Sequence, residues 1–269
     1  MQTNPGSKSA DVTVLLEAAQ SSGLLSQGAA DALQIADIGE QIAAAMGAPA
    51  GDTQASEVVL VQLLIDDSGS IRMVAGNTEA VREGHNTVLD ALKGAKAGDG
   101  VQVHCRYLNG TLLYPFVPLD HAVEMTQRNY NPNGGTPLYD QSLAILATLI
   151  AKTADFENNG IPARTVTAII TDGCDQGSNS SAADVKKVVR DLLKKENHIV
   201  CGVGIDDGST NFEQVFGDMG IPKEWILTPG NSPTEIRKAF AMVSKSAQRA
   251  SQAAAGSFSK TAAGGFGAP

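Results

Sequence analysis

The chain has 269 residues, 42% of them hydrophobic and 18% charged, which suits one α/β domain of ordinary size with extensions. Its formal net charge of -9 argues against nucleic acid and anionic membranes as partners. The cysteines match neither a disulfide framework nor a zinc site in their spacing, which favours reduced thiols at Cys105, Cys174 and Cys201.

The N-terminus lacks the basic start and apolar stretch of a secretion signal. A run of about 18 apolar residues, as a membrane span requires, is also missing from the sequence. We therefore expect a cytoplasmic protein without a membrane anchor.

Residues 1–10 are predicted to be a disordered N-terminus, and residues 11–47 to be a helical extension. Apolar residues recur there at helical spacing in two groups, Val12, Leu15, Leu16 and Ala19, then Ile35, Ile38, Ile42 and Met46. Residues 48–56 mix Pro, Gly, Asp and Thr without a period, which is typical of a linker. The two helices either recruit a partner or pack on the main domain, and amphipathic stripes usually mark a packed face.

The main domain is predicted to span residues 57–249 and opens with an almost unbroken apolar run at 58–65. Such a run is typical of a central strand that is buried on both faces of a parallel sheet. A helix follows at 77–96, and Gly84 on it indicates a point of close packing.

Two strand-like runs at 101–108 and 111–117 are joined by Asn109-Gly110. This dipeptide favours a two-residue type I′ hairpin turn, so one strand of the sheet is expected to run antiparallel. Pro115 and Pro118 place the second of these strands at a sheet edge, because proline cannot donate to a hydrogen-bond ladder.

The rest of the domain alternates between the two kinds of element. The predicted elements are helix 137–153, strand 164–171, helix 182–195, strand 198–204, short pieces around Phe212 and Trp225, and helix 234–249. This order predicts a doubly wound, Rossmann-like α/β fold with a mostly parallel sheet and helices on both faces. Residues 250–269 are rich in Ala, Gly and Ser and are predicted to be a disordered tail.

Oxygen-bearing side chains follow the first strand in the run Asp66-Asp67-Ser68-Gly69-Ser70. Asp66, Ser68 and Ser70 alternate, so they are expected to point inward together. Thr136 in Gly-Gly-Thr-Pro stands at a helix start, and Asp172 in Thr-Asp-Gly stands at a strand end. All five should converge at the carboxyl edge of the sheet, where open α/β sheets bind ligands.

Two carboxylates and three hydroxyls form a hard-oxygen set that suits Mg²⁺ or Mn²⁺ and disfavours Zn²⁺. Other interpretations exist for single residues: Thr136 before Pro137 is good helix-capping chemistry, and Ser68 and Ser70 are turn formers. Asp66 and Asp172 are harder to explain without a cation, because facing carboxylates repel each other.

These residues resemble the von Willebrand factor A (vWA) domain family, whose metal-ion-dependent adhesion site (MIDAS) reads Asp-x-Ser-x-Ser, then Thr, then Asp. Every position of that motif is filled here, and the resemblance covers about residues 57–247. It implies a six-stranded sheet of order 3-2-1-4-5-6 with one antiparallel edge strand. It also implies hydroxyl ligands from Ser68, Ser70 and Thr136, with Asp66 and Asp172 coordinating directly or through water.

The resemblance further implies an external sixth ligand, a carboxylate from an Asp or Glu of another protein. We therefore expect an adaptor-type or adhesion-type protein-binding module that depends on Mg²⁺ or Mn²⁺, with no enzymatic activity. Stand-alone bacterial members of the family often look like adaptors for AAA+ ATPases or multi-protein assemblies, and by analogy the partner here is of that kind.

Two alternatives remain open at this point. A Mg²⁺-dependent phosphohydrolase of the haloacid dehalogenase type would need a second Asp where Ser68 stands, and the Walker A pattern is also missing. A metal-free structural scaffold would bind its partner through the N-terminal helices or the tail.

Overall fold

The computed structural model describes residues 5–35, 38–94, 100–253 and 258–267. Their centre is a six-stranded sheet of order β3-β2-β1-β4-β5-β6, as predicted. The strands are β1 Val58–Ile65, β2 Val101–Tyr107, β3 Leu112–Pro118, β4 Ala163–Thr171, β5 His198–Gly204 and β6 Ile226–Leu227. Neighbours pair in parallel except β2 and β3, which pair antiparallel. The proline-containing strand β3 therefore lies at the edge, where its missing donors cost no ladder bonds.

The described helices cover the sheet and are α1 Pro5–Ser21, α2 Gln27–Ile35, α3 Gly39–Ala45, α4 Asn77–Gly94, α5 Leu138–Asn158, α6 Ala182–Leu192, α7 Phe212–Asp218, α8 Pro233–Gln252 and α9 Lys260–Ala263. Helices α4 and α8 pack against each other, and α5 packs against β1, β4 and α6. Every residue of β1 is buried, as expected of a central strand.

Within the described ranges, no helix combines the length and the apolar character needed to cross a bilayer. All three cysteines are free thiols.

The hairpin between β2 and β3 differs from the prediction. The amide of Gly110 donates to the carbonyl of Tyr107, and the amide of Tyr107 donates to the carbonyl of Thr111, each at 2.9 Å. Leu108 and Asn109 are therefore the central residues of the turn, and Gly110 follows with φ of 87°. The predicted two-residue turn centred on Asn109-Gly110 is wrong, because the loop has three residues and the glycine takes the left-handed position after the turn.

The N-terminal extension contains three helices where two were predicted, because the stripe from Ile35 to Met46 is divided between α2 and α3. Helix α1 packs on α3 and α5, and α2 packs on α6. The apolar residues Val12, Ala19 and Leu24 are buried in the core shared with the main domain. The extension therefore packs on its own domain, which is one of the two roles considered for it.

The predicted linker at 48–56 is held against α5. The amide of Ala50 donates to the Asp155 carboxylate at 2.9 Å, and the Lys152 ammonium donates to the carbonyl of Ala48. Lys152 is fully buried, with its ammonium 4.9 Å from the centre of the Phe156 ring. Two hydrogen bonds to α5 thus fix a segment whose composition alone is typical of a linker.

The two predicted disordered ends also differ from the structure. Residues 1–4 lie outside the described ranges, but the chain is helical from Pro5. At the other end α8 continues to Gln252, and residues 258–267 lie against the domain. Phe266 packs on Trp225 with ring centres 5.5 Å apart, and the Lys260 ammonium donates to the carbonyl of Leu193 at 2.7 Å. Contacts with distant residues order a segment that has too little apolar content to fold alone, whereas residues 254–257 and 268–269 are outside the described ranges.

Three fully buried histidines should make the fold sensitive to acid. Burial lowers the pKa of His85 to about 4 and the pKa of His104 and of His198 to about 3. Below pH 6.5 the unfolded chain binds protons that the folded chain does not, so each histidine reduces the free energy of unfolding by about 1.4 kcal/mol per pH unit down to about pH 4. Burial raises the pKa of Asp67 and of Asp172, and these groups act in the opposite direction as the pH falls.

One histidine can be isolated with the variant His198→Gln. Between about pH 7.5 and about pH 5.5, we expect the wild type to lose about 1.4 kcal/mol more of its free energy of unfolding than the variant. Urea unfolding followed by circular dichroism at the two pH values measures this difference. Equal pH dependence of the two proteins would show that His198 is not kept neutral by burial.

Candidate metal site

The predicted site residues lie at the carboxyl edge of the sheet. Asp66 directly follows β1, and Ser68 and Ser70 lie in the turn after it. Asp172 directly follows β4, the parallel neighbour of β1, and Thr136 precedes α5. The amide of Asp172 donates to Oδ2 of Asp66 at 3.2 Å, so the two acidic residues are in direct contact.

The Asp66 carboxylate is fully buried and held by neutral donors. Its Oδ1 accepts from the amide of Ser68 at 2.7 Å, and its Oδ2 accepts from the Thr171 hydroxyl at 2.6 Å in addition to the amide of Asp172. The Tyr130 hydroxyl donates to the Asp66 carbonyl at 2.6 Å, which fixes the backbone as well. The carboxylate is therefore oriented in advance for any cation that binds there.

The two serines connect to the second carboxylate. The Ser70 hydroxyl donates to Oδ1 of Asp172 at 2.7 Å, and the Ser68 hydroxyl donates to the same oxygen at 3.3 Å. The hydroxyl oxygens of Ser68 and Ser70 are 2.8 Å apart. Four of the five predicted residues thus form one hydrogen-bonded cluster, and its outermost member, Ser70, is exposed to solvent.

Thr136 is the fifth predicted residue, and the structure does not use it as a helix cap. Helix α5 begins at Leu138 with Pro137 in the N-cap position, and no side chain of that cap position forms a hydrogen bond. Thr136 is 5% exposed, and its hydroxyl forms no hydrogen bond within the described part of the chain. The capping interpretation is wrong, because the first amides of α5 bond to a different loop, and the hydroxyl is left available.

The backbone holds Thr136 between the other two parts of the site. On one side Gly134 forms a parallel bridge with Ser68, and the amide of Gly69 donates to the Gly134 carbonyl at 3.3 Å. On the other side the amide of Gln176 donates to the Thr136 carbonyl at 2.8 Å. The loop that carries Thr136 is therefore tied both to the Asp66–Ser70 turn and to the loop after Asp172.

The loop after Asp172 caps helix α5. The amide of Tyr139 donates to the Asp175 carboxylate at 3.1 Å and to the Ser178 hydroxyl at 3.2 Å. The amide of Asp140 donates to the same hydroxyl at 3.1 Å. These acceptors satisfy the free amides that every helix start presents.

Helix α5 in turn holds that loop through Asp140. The two carboxylate oxygens of Asp140 accept from the amides of Asn179 and Ser180, each at 2.9 Å. In the sequence, Asp140 shows only the local pattern of an acidic residue in the first turn of a helix, which complements the helix dipole. The partners of this reciprocal clamp are 36 to 40 residues apart along the chain, so no local pattern reveals it.

Asp67 occupies a variable position of the Asp-x-Ser-x-Ser motif, and it is only 4% exposed. Its Oδ1 accepts from the amide of Asn109 at 3.0 Å, and its carbonyl accepts from the amides of Asn133 and Gly134 at 2.8 Å. Burial raises the pKa of the Asp67 carboxyl to about 6. Asp67 therefore joins the β2–β3 loop and the Thr136 loop to the candidate site.

The electrostatics of the cluster favour a cation. Burial, followed by the nearby charge of Asp66, raises the pKa of the Asp172 carboxyl. Neither acid takes part in an ion pair with a described Lys, Arg or His. A divalent cation would supply the missing positive charge, and the all-oxygen donor set suits a hard ion.

The number of acidic residues alone does not identify this site. In the described ranges, no three side chains of His, Cys, Asp or Glu are grouped so that they could hold a metal ion. A cation here would depend on the hydroxyls of Ser68, Ser70 and Thr136 as well as on the two carboxylates.

The fold is that of vWA domains of known structure, although no protein-family model and no curated protein matches the sequence. The pilus adhesin SpaC of Lactobacillus rhamnosus GG, in its open conformation, has a TM-score of 0.55 at 16% identity over 73% of this chain and 31% of SpaC. The vWF domain of the type V pili tip protein Mfa5 of Porphyromonas gingivalis has a TM-score of 0.52 at 11% identity, over 74% of this chain and 98% of that domain.

A von Willebrand factor type A structure from Catenulispora acidiphila has a TM-score of 0.50 at 18% identity, over 73% of this chain and 43% of that one. The chain thus spans about a third of SpaC, at 31%, and less than half of the Catenulispora chain. At these identities the likeness concerns the fold alone. The chain thus has a vWA-type fold with a candidate metal site at the carboxyl edge of its sheet.

Proposed function

We propose that this chain is a metal-dependent protein-interaction module in which Asp66, Ser68, Ser70, Thr136 and Asp172 bind Mg²⁺ or Mn²⁺. The observation that carries the proposal is the pair of buried acidic residues, Asp66 and Asp172, which are joined by a hydrogen bond and bonded to serine hydroxyls. Among the described residues, no Lys, Arg or His forms an ion pair with either of them. A bound cation would supply positive charge with an outward coordination position. The exposed position of Ser70 supports access to that position from solvent.

We further propose that the ligand from outside is an Asp or Glu side chain of another protein. Hydroxyl ligands are neutral and leave much of a cation's charge uncompensated, so an anionic ligand is favoured. By analogy with stand-alone bacterial vWA proteins, the partner belongs to a multi-protein assembly such as an AAA+ ATPase, in the cytoplasm. The pilus setting of SpaC and Mfa5 is not transferred to this chain, because the likeness to them is one of fold.

The proposed role is binding without catalysis. Ser68 occupies the place of the second Asp that a phosphohydrolase of the haloacid dehalogenase type requires. Three of the four histidines, His85, His104 and His198, are fully buried, and the fourth, His121, has a side chain that is 70% exposed. A general base must lie within hydrogen-bond reach of the reacting group, and no histidine is bonded to the cluster of site residues.

Calorimetric titration of the metal-stripped protein with Mn²⁺ and with Mg²⁺ tests the proposal directly. We expect one site, and we expect an Asp-containing peptide to bind the metal-loaded protein but not the protein in EDTA. The matched peptide with Asn in place of Asp should not bind. Failure of the folded wild type to bind either metal would overturn the proposal.

Asp140 gives a separate prediction about the geometry of the site. The variant Asp140→Ala should release the loop after Asp172 and lower Mn²⁺ affinity about 10-fold, as loss of an outer-shell partner typically does. The exposed Asp90 of α4 provides the matched control Asp90→Ala, which should bind Mn²⁺ like the wild type. Calorimetry measures both affinities, and an unchanged affinity in Asp140→Ala would mean that the clamp does not position the ligands.

A further inference from the structure

The turn that carries Ser70 also carries the most exposed large hydrophobic side chain in the described part of the molecule. Gly69–Met73 forms a 3₁₀ turn, and Met73 at its end is 82% exposed. Two further large hydrophobic residues of the described ranges are exposed, Val14 at 61% and Val123 at 47%. Single exposed apolar residues are normal on proteins, so exposure alone carries no inference. The position of Met73 relative to the candidate site is what matters.

Geometry places Met73 next to the site. In a 3₁₀ helix the side chains of residues i and i+3 eclipse each other, so Ser70 and Met73 lie on the same side of the turn. The Ser70 hydroxyl reaches Asp172 at 2.7 Å, which puts that side of the turn at the site. Ile71, between them, is 1% exposed and anchors the turn in the core. Met73 is therefore held on a fixed support, one turn away from a proposed metal ligand.

Arg72 adds a charge to the same turn, on the side next to the one that carries Ser70 and Met73. It is exposed, and no ion pair of the described residues includes it. The chain as a whole carries a formal net charge of -9, so this guanidinium is a positive group on a predominantly acidic protein. A guanidinium binds carboxylates in a bidentate manner, and complementary charge steers partners to a surface.

We infer that Arg72 and Met73 form a selective rim beside the metal site, and that the partner is a protein segment in which a large apolar residue follows the coordinating acid. A second acidic residue of that segment would face Arg72. This inference rests on the proposed function, because it describes the surroundings of the acid that the metal would bind. The flexible, polarisable methionine side chain suits contact with several kinds of apolar residue.

Two short peptides test the inference on the full chain at saturating Mn²⁺. The first is acetyl-Gly-Gly-Asp-Leu-Gly-Gly-amide, and the second has Gly in place of Leu. We expect the wild type to bind the leucine peptide about fivefold more tightly, as burial of about 40 Å² of apolar surface predicts. In Met73→Ser this ratio should fall to about one, whereas Val14→Ser, at an exposed position on α1, should keep the wild-type ratio.

A third peptide tests the charge of the rim. Extending the leucine peptide with Glu should strengthen its binding to the wild type at low salt, and Arg72→Gln should remove that gain, about threefold in affinity. Added salt should weaken the gain in the wild type as well, because exposed charges are screened.

The outcomes separate the two proposals. The rim is overturned if the wild type binds the leucine and glycine peptides equally, or if Met73→Ser keeps the wild-type preference for leucine. In either case, metal-dependent binding of both peptides would still uphold the proposed function. If neither peptide binds the Mn²⁺-loaded wild type, the proposed function fails and the rim fails with it. Because Met73 is 82% exposed, its replacement is expected to leave folding intact, and urea unfolding checks this.

Discussion

Replacing Asp66 with alanine is expected to lower Mn²⁺ affinity at least about 100-fold, which removes measurable binding and, with it, capture of acidic peptides. The variant loses a proposed charged ligand whose two oxygens accept hydrogen bonds from Ser68, Thr171 and Asp172. The loss would also free the backbone amides that hold the turn and the second carboxylate in place. Calorimetry with Mn²⁺ measures the affinity, and circular dichroism reports whether the variant is folded.

A second variant separates the charge of Asp66 from its shape. Asp66→Asn keeps the size of the side chain and one accepting oxygen, so it should fold well while losing most of the Mn²⁺ affinity. Removing a buried acceptor lowers the free energy of unfolding by about 1–3 kcal/mol. We expect this loss in Asp66→Ala and a smaller loss in Asp66→Asn. Relief of repulsion from Asp172 offsets part of this cost in both variants. Wild-type affinity in folded Asp66→Asn would place the metal elsewhere.

Replacing Gly84 with alanine is expected to reduce the free energy of unfolding by about 2–3 kcal/mol, the cost of overpacking a core. Alanine within a helix ordinarily stabilises by about 0.5–1 kcal/mol relative to glycine, so the expected effect has the opposite sign. A Cβ atom at position 84 would lie 2.3 to 2.8 Å from ring atoms of Phe240, which is closer than two non-bonded carbon atoms can approach each other. Helix α8 would have to move away from α4. Urea unfolding measures the change.

Two controls make this result specific. Gly28 lies in α2 with no atom within 4 Å of a Cβ built there, so Gly28→Ala should be neutral or stabilise by up to about 0.5 kcal/mol. In Gly84→Ala/Phe240→Leu the smaller residue makes room, and the combined loss should be less than the sum of the single losses by more than about 0.5 kcal/mol. Additive losses would mean that the two residues are not in contact.

Much of the architecture is contained in local patterns. The almost unbroken apolar run of β1 predicts a strand that is buried on both faces of the sheet. Successive side chains of a strand point to opposite faces, so such a run presents apolar side chains to the helices on either side. Pro115 and Pro118 assign β3 to the edge, and Gly84 marks the close contact of α4, since each follows from the chemistry of one residue type. The order of strands came from the resemblance to vWA domains, and the structure confirms it.

The five metal ligands remain a prediction. The tertiary structure supports it with contacts between residues that are far apart in the sequence. Thr136 before Pro137 has the local pattern of a helix cap, and only the distant loop with Asp175 and Ser178 shows that the cap is supplied from elsewhere. Likewise the contact between Asp66 and Asp172 joins residues 106 apart in sequence. A sequence pattern can predict that such residues lie at the same edge of a sheet, but it cannot predict that they share a hydrogen bond.

Elements whose signals are local can be predicted from the sequence: the buried strands, the edge strand and the glycine at a close contact. Three features depend on contacts that no local pattern reveals: the three-residue hairpin loop, the division of the N-terminal stripe into α2 and α3, and the attachment of residues 258–267. One cause accounts for all three. A backbone group or side chain takes whichever partner satisfies it best, and here those partners come from parts of the chain that only the fold brings near.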